Sequence, residues 1–272
     1  KEIENSNYSC VIIIRGNRFS KENELFFKSM DPLKIHWAID SISRAKFQLD
    51  TGHISDYRYV IDKSDLCFYN GDAAWLPLGY DDSFKYPNIS DKDIDVLISG
   101  SVGKLYGSRR NVLEKLGGSE LSEKYNCCFI GTTGSRFRDS AVKIGNVKWL
   151  HKSIPLQELL KYQARSKVCV NIMQDDEGMP VNPSFFSIPA CGSCLVNDRR
   201  DYLNEFLIPG EDYETFGEGE LVEKLETLLE DEKRRTKITE QGKQKVVGNH
   251  SMKARAETII SRIKLLQGKI EE

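Results

Sequence analysis

The chain has 272 residues, of which 39% are hydrophobic, 10% are aromatic and 29% are charged. A chain of this length can bury the core of one large domain or of two domains of ordinary size. Its 39 Lys and Arg residues are balanced by 41 Asp and Glu residues, which gives a net charge of −2. Because nucleic-acid binding favours a strongly basic surface, we expect no nucleic-acid partner. No apolar run approaches the ~20 residues of a membrane-spanning helix, so we expect a soluble protein.

The seven cysteines favour a reducing compartment. Several lie inside apolar runs, such as residues 127–130 and 168–170, where they are typical of small hydrophobic residues in buried strands. We therefore expect free thiols and a cytoplasmic protein. The chain begins at Lys1 without Met and without a signal-peptide pattern, so we expect a piece of a longer protein that has further domains.

Apolar runs typical of strands alternate with amphipathic runs typical of helices. The strand-like runs are residues 10–14, 34–39, 95–98, 127–130, 147–150, 168–172 and 194–196. The helix-like runs are residues 23–29, 109–116, 155–166, 218–230, 231–247 and 251–270, with a break between the last two at Gly248 and Asn249. Most strand-like runs are continuously apolar, as in strands buried on both faces. The alternation predicts an α/β fold with parallel sheets.

The polar segment 83–93 is the best candidate for a domain boundary, since it contains Pro87 and precedes a new strand. The sequence therefore predicts a short first domain over residues 1–93 and a second domain over residues 94–250. Residues 251–272 form a predicted final helix. The second domain contains the fuller series of alternating strands and helices.

The first candidate site is a turn of small residues that follows the strand-like run 95–98. Gly100, Ser101 and Gly103 would let backbone N–H groups approach an anion at the carboxyl end of a strand. Arg109 in the next helix could bind a diphosphate bidentately. The alternative is a tight turn that needs glycine, followed by a solvated arginine.

Two further loops follow strand-like runs. Gly131 begins a Gly-Thr-Thr-Gly segment with the same two interpretations. The segment 175–177 places three carboxylates after the run 168–172. These could bind Mg²⁺, accept hydrogen bonds from sugar hydroxyls or act as acid and base. An acidic surface loop is the alternative.

The cysteines and histidines give weaker signals. Cys191 and Cys194 form a Cys-x-x-Cys motif, but it lies between a helix and a strand and has no second pair, which argues against redox or zinc chemistry. His36 lies within an apolar run and is expected in the core. His151 follows a strand-like run and is a candidate site residue.

A series of short motifs follows a fixed order along the chain, at residues 75–81, 95–100, 153–155, 185–192, 209–212 and 253–256. This order resembles the donor-binding half of GT-B glycosyltransferases. Within them it is most similar to the branch typified by spore maturation protein B. The resemblance extends over about 200 residues, from Trp75 to Ile270, and lies in the order of these segments.

The resemblance implies two Rossmann-like doubly wound domains, of which the first is abbreviated and contacts the last helix. The second domain would hold a nucleotide-sugar donor, and the acceptor would lie in a cleft facing the first domain. Family members generally work without a bound metal, so no cofactor is expected. The predicted donor-binding residues are Gly100, Ser101, Gly103, Arg109, Gly131, His151, Ile154, Gly178, Asn182, Pro183 and Ser184.

Two carboxylates are the predicted catalytic residues. Asp40 ends a Trp-x-x-Asp segment that resembles one in the family, and Glu177 would face the donor sugar. The chain departs from the family at Ser187, where members usually have a Glu that accepts hydrogen bonds from both ribose hydroxyls. Either Glu177 or another group replaces that Glu, or the donor is a CMP-sugar, or the domain is inactive.

The resemblance therefore implies transfer of a sugar from a nucleotide donor to a glycan or a lipid-linked saccharide. The alternative is a non-catalytic module of the same fold that binds a nucleotide or a glycan. An epimerase is disfavoured because Tyr162 is followed by Ser166 where a Tyr-x-x-x-Lys pair would need Lys. Basic residues of the last helix could touch an anionic membrane at its inner face, or form an ordinary solvated surface.

Overall fold

The computed structural model describes residues 8–16, 20–87, 89–102, 107–132, 144–173 and 178–268. The chain divides into two compact units. The first comprises residues 1–78, 177–182 and 253–272, and the second comprises residues 79–176 and 183–252. The division after Leu78 differs from the predicted boundary near residue 93. Residues 79–93 belong to the second unit, in which Tyr80 donates to His250 and accepts from Met252, at 3.0 and 2.8 Å.

The first unit is built on a parallel sheet. Its strands are β1 (Cys10–Ile14), β2 (Leu33–Ala38), β3 (Tyr57–Val60) and β4 (Ala73–Trp75), hydrogen-bonded in the order β1-β2-β3-β4. Helices α1 (Lys21–Ser29) and α2 (Phe47–His53) and the 3-10 helix Lys63–Phe68 connect them. Residues 253–266 of helix α9 (Met252–Leu266) also belong to this unit.

Burial in the first unit is centred on β2 and β3. Ile35, Ala38 and Val60 are fully buried. Toward β1 the packing thins: Ile12 and Ile14 are 45% and 58% exposed, and helix α1 contributes no buried residue. Among the described residues, β1 is therefore an edge strand with an apolar sequence.

The second unit contains a larger parallel sheet with the order β10-β9-β8-β5-β6-β7. Its strands are β5 (Ile94–Ser99), β6 (Cys127–Ile130), β7 (Lys148–His151), β8 (Ser166–Asn171), β9 (Cys194–Asp198) and β10 (Glu214–Phe216). Its helices are α3 (Gly107–Gly117), α4 (Leu121–Lys124), α5 (Leu156–Ala164), α6 (Ser184–Ala190), α7 (Leu221–Glu230) and α8 (Glu232–Asn249), with a 3-10 helix at Asp201–Glu205.

The core of the second unit lies along β5, β6 and β8. Residues of these strands alternate between the two faces, and nearly all of them are buried. Lys92, just before β5, is tied into this core because its Nζ donates to the carbonyl oxygens of Ala164, Ser166 and Gly192 at 2.8–2.9 Å. Burial lowers the pKa of Lys92.

The predicted α/β fold class is confirmed, and each of the seven strand-like runs coincides with a strand. Strands β3, β4 and β10 were not predicted, because they are short or contain polar residues. The last two predicted helices are separate, but the break between them lies at His250 and Ser251 rather than at Gly248 and Asn249, because α8 continues through both of these residues. No described helix has the length and apolar character that crossing a membrane requires.

Candidate functional site

The second sheet has a switch point between β5 and β8, where the strand order reverses. In open α/β sheets, ligands bind beside such a point, at the carboxyl ends of the strands. Gly100 lies there with φ +116°, a conformation that side chains rarely adopt. Its N–H donates to Ile130 at 2.8 Å. An added Cβ would lie 2.7 Å from Nη1 of Arg109.

The ends of β5, β6 and β7 are held close together. An added Cβ on Gly131 would lie 1.9 Å from the carbonyl oxygen of Gly100. The N–H of Gly131 donates to the carbonyl of His151 at 2.9 Å. Thr132 donates its hydroxyl to that of Ser101 at 3.3 Å. The structure thus brings together four of the predicted donor-binding residues, and two of them must be glycine.

Arg109 crosses the switch point and is almost fully buried. Its Nη1 donates to the carbonyl of Ser101 and its Nη2 to the carbonyl of Ile172, both at 2.8 Å. These bonds tie the end of β5 to the end of β8. They give Arg109 a structural role, and its contact with a donor phosphate stays a prediction.

An aromatic surface lies at the end of β7. His151 is exposed, its Nε2 lies 2.8 Å from the hydroxyl of Tyr162, and the two rings meet edge to face at 5.4 Å. The indole N–H of Trp149 donates to the carbonyls of Gly131 and His151 at 3.1 Å. Ile154 follows and is half-buried. Flat rings beside a glycine-edged loop can stack on a nucleotide base.

Helix α6 begins at Ser184 after the cap residue Pro183, so these two predicted residues lie at a helix start in the second unit. Further along this helix, Ser187 is buried and donates its hydroxyl to Oε1 of Gln163 at 3.1 Å. Ser187, at the position where the resemblance implied a ribose-binding Glu, therefore faces the interior.

Gly178 and Asn182, two other predicted donor-binding residues, belong to the first unit. Gly178 packs against Asp62 so closely that an added Cβ would lie 2.1 Å from the carboxylate. Glu177 and Gly103 lie outside the described residues.

Asp40 follows β2 and forms an ion pair with Arg15, with Oδ2 at 3.0 Å from Nε and the carboxylate side chain 45% exposed. Arg15 follows β1 and has φ +67°, which is uncommon for a residue other than glycine. Backbone strain of this kind clusters at functional sites. The predicted catalytic carboxylate is thus accessible and has a cationic partner.

The thiols and His36 match the expectations for structural residues. Cys191 and Cys194 are free and buried, and burial raises the pKa of both. His36 is fully buried, and burial lowers its pKa to about 4. Within the described ranges, no three His, Cys, Asp or Glu residues are grouped as a metal site would require.

A cavity of about 430 Å³ lies between α3 and α7, and none of the predicted residues lines it. Its wall includes Asp198, whose Oδ1 accepts from the N–H of Met173 at 2.8 Å and whose Oδ2 accepts from Arg200 at 2.7 Å. A sequence signal that could have found this site is Asp198, a carboxylate at the end of β9, two residues after the apolar run 194–196.

Solved structures share this fold at low sequence identity. Sucrose-phosphate synthase from Thermosynechococcus elongatus has a TM-score of 0.66 at 15% identity, covering 91% of this chain and 71% of that chain. Anabaena HepE in complex with UDP and glucose has a TM-score of 0.70 at 10% identity, covering 93% and 77%. An alpha-glucosyltransferase in complex with UDP-glucose and DNA containing an abasic site has a TM-score of 0.67 at 11% identity, covering 94% and 80%.

No curated protein sequence matches the chain. A sequence model of the family described as "Glycosyl transferase-like" matches residues 109–261, which is more than half of the 272 residues. This stretch runs from α3 into α9 and includes the aromatic surface after β7. The chain therefore belongs to the glycosyl transferase-like family, and its parallel sheets have the GT-B fold of the solved structures.

Proposed function

We propose that the chain transfers a sugar from a nucleotide-activated donor to a glycan or lipid-linked saccharide, in the synthesis of a cell-surface polysaccharide or glycoconjugate. The observation that carries this proposal is the switch point of the second sheet, where Gly100 lies close to both Gly131 and Arg109. Arg109 and Gly131 lie inside the family match, and Gly100 lies shortly before it. We further propose that the chain belongs to the spore maturation protein B-like branch, and the order of its sequence motifs supports this.

The chemistry requires that the bond between the anomeric carbon and the nucleotide phosphate breaks while a bond to an acceptor oxygen forms. Negative charge develops on the departing diphosphate, and the acceptor hydroxyl loses a proton. The N–H groups of Gly100 and Gly131 donate to Ile130 and His151, so other backbone N–H groups of the loops that follow β5 and β6 would offset the phosphate charge. We propose that no metal ion is needed. Transfer that is unchanged by EDTA would support this, and transfer that requires Mg²⁺ or Mn²⁺ would contradict it.

His151 and Tyr162 are the proposed contact for the nucleotide base. UDP is the first donor nucleotide to test, because HepE and the glucosyltransferase were solved with UDP or UDP-glucose. Calorimetric titration with UDP-, GDP- and CMP-sugars tests donor binding, and the CMP-sugar is included because Ser187 faces the interior. The absence of binding by all three would contradict the proposal.

His151→Ala tests the base contact, with His53→Ala as the matched control. Both histidines are exposed, and each meets a tyrosine ring edge to face, at 5.4 and 5.9 Å. We expect His151→Ala to weaken nucleotide binding by about tenfold, since base stacking contributes about 1–3 kcal/mol. His53→Ala should bind like the wild type.

Asp40 is the proposed acceptor-side base. Asp40→Asn should lower kcat by about 100-fold or more and leave nucleotide affinity unchanged, because general-base catalysis contributes about 10²–10⁴-fold. Asp72→Asn is the control, since Asp72 is an exposed carboxylate that lies 3.9 Å from Arg58 in the same unit. Equal kcat in both variants would exclude Asp40 as the base.

A non-catalytic module of the same fold is the second candidate, and the interior position of Ser187 favours it. The two functions predict different outcomes with an added acceptor. Nucleotide release that depends on acceptor indicates the transferase. Nucleotide or glycan binding without turnover, across a panel of acceptors, indicates the module.

Contact with the inner face of a membrane is a further part of the proposal, because lipid-linked acceptors lie there. The basic residues of α9 offer less positive charge to an anionic membrane than their number indicates. Arg255 is buried and donates to the carbonyl of Pro77 at 2.7 Å, and the Arg262 guanidinium lies 4.7 Å from the ring centre of Tyr57. Sedimentation with anionic vesicles, compared with neutral ones, tests this contact.

A further inference from the structure

Asp62 is a buried carboxylate at the carboxyl end of β3, with 1% of its surface exposed. Its Oδ1 accepts from the N–H and the hydroxyl of Ser64, at 3.1 and 2.6 Å. Oδ1 also accepts from the N–H of Met179 at 2.7 Å. Oδ2 accepts from the hydroxyl of Ser41 at 2.7 Å. One side chain therefore contacts three separate segments of the first unit.

The contacts of Asp62 with Ser64 are those of a local turn. Asp81 is a useful comparison, because it makes the same two contacts with Ser83. Asp81 accepts from the N–H and the hydroxyl of Ser83, at 3.0 and 2.6 Å. Asp62 and Asp81 thus make the same Asp-x-Ser turn. The local turn does not require the contacts of Asp62 with Ser41 and Met179, which lie 21 and 117 residues away.

The segment that contains Met179 fits closely around the Asp62 carboxylate. Gly178 approaches so closely that a Cβ there would lie 2.1 Å from Oδ2. The backbone takes part as well, since Asp62 and Pro180 form an antiparallel bridge and Lys63 donates to the carbonyl of Met179 at 3.4 Å. Substitution of Gly178 by any other residue therefore requires the segment or the carboxylate to move.

The contact of Asp62 with Ser41 lies next to the predicted catalytic residue Asp40. Asp40 directly precedes Ser41 and follows β2, and β2 pairs in parallel with β3. The carboxyl ends of neighbouring parallel strands lie at the same edge of a sheet. Asp62 thus joins the segment after Asp40 to the segment that begins at Gly178, with charge-assisted hydrogen bonds to both.

We propose that Asp62 is a positioning residue for sugar transfer. It holds the predicted donor-binding residue Gly178 and the loop of Asp40 in fixed places at one edge of the first sheet, without itself touching the substrate. The inference rests on the proposed function. A displacement of about 1 Å in such groups can reduce the rate about 100-fold, because the reaction depends on the alignment of the groups.

The test compares Asp62→Ala with Asp81→Ala, which removes the matched local turn. We expect Asp62→Ala to lower kcat at least tenfold, because the segment of Gly178 and the loop of Asp40 both lose a hydrogen bond that fixes their place. Asp81→Ala should retain the wild-type kcat. Asp62→Asn should recover most of the activity, because the amide oxygen can still accept from Met179 and the amide N–H can donate to the hydroxyl of Ser41.

Gly178→Ala gives a second test that leaves Asp62 in place. The added methyl group should displace the segment and lower kcat to a similar extent. In the double variant Asp62→Ala with Gly178→Ala, the carboxylate that opposes the methyl group is gone. We therefore expect kcat close to that of Asp62→Ala alone rather than the product of the two losses. If Asp62→Ala is poorly folded, Gly178→Ala and Asp62→Asn decide the matter, because both keep a hydrogen-bonding side chain at position 62.

Hydrogen exchange at the Met179 amide gives a readout that is independent of turnover. In Asp62→Ala this amide hydrogen should exchange at least tenfold faster than in the wild type. In Asp81→Ala it should exchange at the wild-type rate. A wild-type chain without donor binding or turnover would overturn the proposed function and this role together. An active wild type with unchanged kcat in Asp62→Ala and Gly178→Ala would overturn the positioning role alone.

Discussion

The two sheets contain strands of similar sequence in different surroundings. Strand β1 is Cys-Val-Ile-Ile-Ile, and β6 is Cys-Cys-Phe-Ile. Every residue of β6 is buried, but Ile12 and Ile14 of β1 are about half exposed. Strand β6 lies between β5 and β7, whereas β1 pairs only with β2 among the described residues. A continuous apolar run therefore predicts a strand, but its burial depends on its neighbours.

The carboxyl ends of the two sheets differ in a similar way. In the second unit, Gly100 and Gly131 bring backbones together and a buried Arg109 bonds to carbonyl oxygens. In the first unit, the half-exposed pair of Arg15 and Asp40 lies at the strand ends. The first kind of edge suits a phosphate held by the backbone, and the second suits a reacting hydroxyl that needs an accessible carboxylate.

The largest expected difference between the units is in the energy of packing. Leu113→Ala on α3 should lower the free energy of unfolding by about 3–4 kcal/mol, because Leu113 is fully buried. Leu25→Ala on α1 should change it by less than about 0.5 kcal/mol, because Leu25 is 60% exposed. Urea unfolding of both variants measures these values. Equal losses would show that α1 is covered in solution.

Acid should destabilise the first unit through His36, whose pKa burial lowers from 6.5 to about 4. Between these pH values the unfolded chain binds a proton that the folded chain does not, so stability falls as the pH drops. The loss from pH 7 to pH 4 is about 2–3 kcal/mol. His36→Gln lacks this titrating group. We therefore expect the difference in unfolding free energy between the wild type and His36→Gln to be smaller at pH 4 than at pH 7 by this amount. A gap that is constant with pH would contradict the prediction.

The sequence was informative where a local rule determines the structure. The apolar runs predicted seven strands because apolar side chains must be buried. Gly100 was predicted because a turn there favours positive φ. Strand β3 (Tyr-Arg-Tyr-Val) was missed because its Arg58 interrupts the apolar pattern. Asp62 was missed because its partners Ser41 and Met179 are distant in the chain, and no local pattern records such contacts.

The arginines at the two sheet edges should also differ in their contribution to stability. Arg109→Met removes the hydrogen bonds to the carbonyls of Ser101 and Ile172 and should cost about 2 kcal/mol. Arg15→Met removes an exposed ion pair and should cost less than about 1 kcal/mol. Thermal unfolding of both variants measures the difference. If Arg109 also binds the donor phosphates, Arg109→Met should weaken nucleotide binding beyond its effect on stability.

The smallest expected effect concerns two glycines of helix α8. Gly248 has no atoms near the position of an added Cβ, whereas a Cβ on Gly242 would lie 2.1 Å from the carbonyl oxygen of Asp212. Gly248→Ala should therefore raise the free energy of unfolding by about 0.5–1 kcal/mol, through helix propensity and the loss of freedom in the unfolded chain. Gly242→Ala should lower it, because the backbone contact must open. Stabilisation by both substitutions would show that helix propensity, rather than close packing against Asp212, governs this helix.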